Sequence, residues 1–110
     1  MSEAYLTGSF VVAQDPTIKD VGTTKVANIP GMLVECIGHG ETKKEIFSYF
    51  DLEVWDKAAD YIQNNCKKGD TLIVLSATPR QNKWENADGK IQSKIIFRVK
   101  SFRIIPKREQ

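Results

Sequence analysis

The amino-acid sequence predicts an all-β domain, a five-stranded Greek-key barrel with a single α-helix between the third and fourth strands. Three observations carry this expectation. Residues 45–55 alternate with the two-residue period of a strand: Ile46, Ser48, Phe50, Leu52 and Val54 against Glu45, Phe47, Tyr49, Asp51, Glu53 and Trp55. Helical spacing occurs only once, in Ala58, Ala59, Ile62 and Cys66. The runs on either side then give the order strand, strand, strand, helix, strand, strand. In 110 residues, with one helix at that place, this barrel is the natural closure.

The elements follow in order. Residues 4–13 are rich in β-formers, among them Tyr5, Leu6, Phe10, Val11 and Val12. Gly8 inside this run marks a bend or bulge, as at a barrel corner. Gln14-Asp15-Pro16 ends the strand, because proline has no N–H to give to a ladder. Residues 20–24 form a turn. Strand character resumes over 25–37, with Pro30-Gly31 read as a bulge or edge kink. Residues 38–44 are a polar, glycine-bearing hairpin loop with His39 exposed in it.

Asp56 is the expected N-cap of a helix of about three turns. Lys67, Lys68 and Gly69 are its expected stop: two cations at the negative end of the dipole, then a glycine free to turn left-handed. Residues 71–77 are a β-branched and aliphatic run suited to a central strand. Residues 80–90 form a charged excursion holding Trp84, with a turn at 87–90. Residues 91–105 are the last strand, with Ile95, Phe97 and Val99 on one side and Lys94, Arg98 and Lys100 on the other. One domain therefore spans 4–105, and 106–110 is a short basic end. No internal repeat interrupts this order.

Composition bounds the function. Hydrophobic residues at 41% and charged ones at 27% describe a globular domain, not a disordered chain. No apolar run approaches the roughly 20 residues of a membrane span. The start Met1-Ser2-Glu3-Ala4 lacks a signal peptide's basic and apolar regions, so a cytoplasmic location and no membrane partner are expected. Cys36 and Cys66 have only His39 as a companion, too little for structural zinc or a disulfide framework. Both are expected as buried, reduced thiols, with no metal and no cofactor. The net charge of +2 conceals segregation, since residues 1–79 carry 7 Lys/Arg against 11 Asp/Glu while 80–110 carry 9 against 3. A basic stripe in the last segment is able to track a phosphate backbone.

The ring-bearing face of residues 45–55 needs a partner, because Phe47, Tyr49 and Trp55 would otherwise leave apolar area hydrated at roughly 25 cal/mol per Å². A subunit interface would cover it. So would nucleic-acid bases, which stack on such rings at about 1–3 kcal/mol each. Asp51 and Glu53 share this face and would repel phosphate unless they point to the rim or pair with a cation. Catalytic chemistry is not legible: Ser48, His39 and Asp51 form no nucleophile elbow, and no Gly-rich phosphate loop precedes the helix. A metal-dependent nuclease would want several clustered acids with an open coordination site, which Asp51, Glu53 and Asp56 could in principle supply, but the carboxylates read as ordinary strand and helix charges. No enzyme is expected.

Four motifs then stand in a recognisable order. They are Gln14-Asp15-Pro16, Val26-Ala27-Asn28-Ile29, the unit Trp55-Asp56-Lys57-Ala58-Ala59 with Tyr61 and Lys68-Gly69, and the hairpin of Arg80, Lys83, Trp84, Asp88 and Gly89. Together the chain resembles the bacterial and phage single-stranded DNA-binding protein family, whose domain is an oligosaccharide/oligonucleotide-binding (OB) fold. The resemblance implies sequence-tolerant binding and protection of single-stranded DNA in replication, recombination or repair. It implies stacking on Tyr49, Trp55 and Trp84, with Phe47 sharing their face. By charge and placement, Lys43, Lys44, Lys57, Arg80, Lys83, Lys94 and Arg98 are the phosphate partners. A homo-oligomer, tetramer or dimer, is implied, as are replication or recombination proteins as partners.

Two features depart from the family. Its cellular members end in a flexible linker and an acidic tip, whereas this sequence stops at Pro106-Lys107-Arg108-Glu109-Gln110. That leaves open a removed tail, a tailless phage or plasmid relative, or a primosome-type accessory acting through protein partners. The family's stacking ring near the end of the second strand is replaced here by Ile37-Gly38-His39. A protein-interaction OB domain without nucleic-acid binding is the alternative from a different class.

Overall fold

In the computed structural model, residues 1–108 are described; Glu109 and Gln110 of the expected basic end lie outside the described residues. The strands are β1 (Leu6–Val12), β2 (Thr17–Val21), β3 (Thr24–Ile37), β4 (Lys44–Trp55), β5 (Thr71–Glu85) and β6 (Ile91–Ile105), with helix α1 (Lys57–Asn65) between β4 and β5. The sheet runs β1-β5-β6-β4-β3-β2, and a second pairing of β1 with β3 closes β1, β5, β6, β4 and β3 into a ring. All neighbours are antiparallel except β4 and β6, which pair in parallel through Asp51–Glu53 and Ile96–Arg98. Among the described residues no helix is long and apolar enough to cross a membrane.

The barrel is the expected one, and its core follows the alternation. Leu52 and Val54 of β4 share a core with Phe10, Val12, Ala27, Ile29, Leu72 and Val74, which Ala59 and Ile62 of α1 and Cys66 just beyond it complete. Phe50 joins at the margin, its ring 5.2 Å from that of Phe10. Ile46, expected on the same buried face, is exposed because β3 and β4 run on past the barrel as a free hairpin arm. Gly8 does mark a register shift in β1.

Several expectations are corrected by tertiary context. Thr17–Val21 is a sixth strand, too short to stand out by periodicity, and it folds back on β3 across a tight turn at Gly22. Pro30-Gly31 is not a bulge: β3 keeps an unbroken register with β4 through both residues. The Pro30 carbonyl accepts from the Ala13 N–H at 2.8 Å, so the missing proline donor falls on the β1 side and not in the β4 ladder. Gly31 is required by a close approach, since a Cβ there would lie 2.9 Å from Leu52 Cδ1 and 3.3 Å from Phe10 Cβ.

Asp56 occupies the N-cap position at φ 62°, but its carboxylate accepts from Thr24 Oγ1 instead of capping the helix. Helix α1 ends at Asn65, so Lys67 and Lys68 lie beyond it, and Gly69 (φ 92°) serves a later turn whose N–H binds the Val12 carbonyl. Cys66 is buried as expected, whereas Cys36 is exposed on the β3–β4 arm.

Residues 80–85 are not an excursion but the second half of β5, which pairs with β6 as far as Glu85 and Ile91. Register shifts leave Leu75 and Lys100 without cross-strand partners. Each shift moves the strand's faces by one residue, so the core takes Leu72 and Val74 before it and Ala77 after it on β5. On β6, Phe97 and Val99 give way in the same manner to Phe102 and Ile104. Ile95, expected to continue that apolar side, is exposed because the hairpin has by then left the barrel.

Candidate nucleic-acid interface

The odd-numbered residues of β4 lie on the outer face of the barrel. Tyr49 is 68% exposed and Phe47 51%, while Trp55 is half-buried. Cross-strand register brings Met32 and Val34 of β3 beside Tyr49 and Phe47, and Ile96 and Arg98 of β6 beside Asp51 and Glu53. On the other side of β6, Thr78, Arg80, Asn82 and Trp84 of β5 face Arg98, Ile96, Lys94 and Gln92. The same face therefore continues onto the β5–β6 arm. Trp84, 44% exposed, sits about 13 Å beyond Arg80 at ~3.3 Å per residue.

The two acids on this face are tied to the cations beside them. Glu53 is buried, at 4% exposure. Its Oε1 accepts from Trp55 Nε1 at 3.1 Å and from Arg80 Nη2 at 3.2 Å. Arg98 Nε, shielded from solvent and without a hydrogen-bond partner among the described residues, lies 3.6 Å from the same oxygen. The Arg98 guanidinium in turn lies over the Trp55 ring, 5.3 Å from its centroid. Asp51 pairs with Lys94 at 3.4 Å, an exposed contact that water screens. From the sequence both carboxylates could either point to the rim or pair with a cation; Asp51 meets Lys94 of the adjacent β6, and Glu53 meets Arg98 of β6 and Arg80 of β5 beyond it. Asp51 and Lys94 also line an open cleft of about 470 Å³ together with Gln14, Asp15, Thr17, Asn28 and Pro30.

The structure thus gathers Phe47, Tyr49, Trp55, Trp84, Arg80, Lys94 and Arg98 on one continuous face. Lys44 and Lys83 fall on the opposite faces of their strands, at even and odd positions where the rings are odd and even respectively. Lys43 stands at the tip of the β3–β4 arm and Lys57 opens α1 at the end of the barrel. His39 is exposed in the arm's loop, where its carbonyl accepts from Thr42 Oγ1 at 2.7 Å. Sequence reasoning missed the role of Glu53 as the acceptor shared by Trp55 and Arg80. The signal was present as acids at 51 and 53 and cations at 94 and 98, but it needs the parallel β4–β6 register to be read.

A closed five-stranded barrel with rings and cations on one outer face defines an oligonucleotide-binding domain. The model of the single-strand binding protein family matches residues 1–105, and the chain belongs to that family. It is a binding protein for single-stranded DNA, not an enzyme. Among solved structures, one described as a Plasmodium falciparum SSB complex with ssDNA is similar in fold over 96% of this chain and 95% of that one, with a TM-score of 0.80 and 19% identity. No curated protein matches this chain in sequence.

Proposed function

We propose that the chain coats and protects exposed single-stranded DNA without sequence preference, in replication, recombination or repair. The strand lies across the outer face of β4 and along the β5–β6 arm. Bases stack on Tyr49 and Trp84 and against Trp55, while Arg80, Lys94 and Arg98 meet phosphates, with Lys43 and Lys57 at the ends of the path. What supports this reading is that Tyr49, Trp55 and Trp84 share one face with Arg80, Lys94 and Arg98, contributed by β4 and by the β5–β6 hairpin. Duplex DNA is disfavoured because its paired bases hide their flat surfaces.

The domain, 4–105 with its short basic end, is proposed to act as a homo-oligomer, tetramer or dimer, in the cytoplasm. Exposed Ile37 and Ile46 on one arm and Ile91 and Ile95 on the other lie on the faces away from the rings, which favours burial against another copy. Replication or recombination proteins would be further partners. Titration of tryptophan fluorescence with oligo-dT at two salt concentrations, together with native mass, tests this reading. Deep, salt-sensitive quenching and a defined oligomer are expected. An unquenched protein that still oligomerises would leave the rings as a protein interface and overturn it.

A further inference from the structure

We infer that Glu53 is a positioning residue of the interface: it fixes the Trp55 indole and holds Arg80 and Arg98 in place, while withholding part of their charge from phosphate. The inference rests on the reading that this face binds DNA. A carboxylate in the middle of a DNA-binding surface is otherwise unfavourable, by like-charge repulsion with every nearby phosphate. Its geometry resolves the conflict. Glu53 is buried, so it meets no phosphate directly, and one oxygen, Oε1, faces Trp55 Nε1, Arg80 Nη2 and Arg98 Nε at 3.1, 3.2 and 3.6 Å.

Each partner is thereby constrained. The indole, bound by its N–H from below and covered by Arg98 at 5.3 Å, has few orientations left, so a base that stacks against it meets a preformed surface. The two guanidinium groups, both reaching Glu53 Oε1 from the β6 side of β4, are held at that oxygen at 3.2 and 3.6 Å. Loss of the carboxylate has two opposite consequences: both cations become free to neutralise phosphate, and the ring beneath them loses its anchor. A residue that merely repelled DNA would show only the first. A residue that merely supported the barrel would show neither in the salt dependence.

The test compares Glu53→Gln, which removes the charge but keeps an acceptor for the indole, with Glu53→Val, which removes both. The chain has two tryptophans, so placing both changes in a Trp84→Phe background leaves Trp55 as the only reporter. Oligo-dT affinity of the background protein at low salt first establishes that the face binds DNA at all. Both variants are then expected to steepen the salt slope by about 0.7 per released guanidinium, and so to lose roughly 3- to 7-fold more affinity than the background between 50 and 200 mM salt. Glu53→Val is further expected to shift Trp55 emission to the red and to bind roughly fivefold more weakly at 200 mM salt, where stacking dominates. Glu53→Gln should leave the emission in place.

An unchanged slope in both variants overturns the inference while leaving DNA binding intact. So does tighter binding of Glu53→Val at every salt concentration with unaltered emission. Thermal unfolding checks that each variant is folded; should Glu53→Val fail to fold, the slope of the near-isosteric Glu53→Gln alone decides.

Discussion

The Arg98 guanidinium and the Trp55 indole, from strands that pair in parallel, lie 5.3 Å apart with the cation over the ring. One surface of Trp55 is therefore already occupied in the free protein. Of the rings proposed to stack, Tyr49 and Trp84 are the freely reachable ones, and Trp55 is a half-buried ring at the far end of β4 from both. This ranks the rings.

Trp84→Ala is expected to cost about 1–3 kcal/mol of affinity for oligo-dT, the worth of one stacked base. Trp84 contributes nothing to the barrel core, so the thermal midpoint should stay close to that of the parent. Fluorescence anisotropy of a labelled oligonucleotide measures the first and a melting curve the second.

Tyr49 stands on the face of β4 with its ring in water, and the proposed stacking uses its flat surface and not its hydroxyl. Tyr49→Phe should bind as the parent does, whereas Tyr49→Ala should lose about 1–3 kcal/mol. A loss in Tyr49→Phe equal to that in Tyr49→Ala would show that the hydroxyl, not the ring, makes the contact.

Asp51 differs from Glu53 in being exposed and in having Lys94, at 3.4 Å, as its one ion-pair partner among the described residues. Asp51→Asn should free one lysine and steepen the salt slope by about 0.7. Unlike Glu53→Val, it should tighten binding at all salt concentrations and leave tryptophan emission unaltered. Titrations over a salt series provide both readouts.

Gly31 sits where β3 crosses the core between β1 and β4. Gly31→Ala would place a methyl 2.9 Å from Leu52 Cδ1 and 3.3 Å from Phe10 Cβ, so overpacking should destabilise the barrel by about 1–3 kcal/mol. Denaturant unfolding measures the loss. Oligo-dT affinity of the folded fraction should be unchanged, because Gly31 faces away from the rings.

Burial pushes the Cys66 thiol up from 9.0 to about 11, with the Asp70 and Asp15 carboxylates adding to the effect. Below about pH 9 the thiol is protonated whether folded or not, so it adds no pH dependence. As pH rises from about 9 to about 11 the unfolded chain ionises first, and stability falls through that window. Unfolding midpoints across the window should show a decline that Cys66→Ala lacks. In the native protein a maleimide should label exposed Cys36 and spare Cys66.

Features that depend on neighbours along the chain were legible from residue order alone. Alternation placed Leu52 and Val54 in the core and Phe47 and Tyr49 outside it, because successive strand side chains point to opposite faces whatever the strand pairs with. The single run of helical spacing located α1, and Gly8 marked the bulge in β1. Tertiary structure alone decided what depends on distant pairing. It made a sixth strand of Thr17–Val21, carried Pro30 through an intact ladder, and shifted the faces of β5 and β6 at Leu75 and Lys100. It also lifted Ile46 and Ile95 out of the core on arms that outrun the barrel. Above all it set Glu53 against Arg80 and Arg98, and Asp51 against Lys94. A carboxylate's effect on a binding face depends on which charges lie within a few ångströms, and those charges come from strands that only the closed barrel brings together.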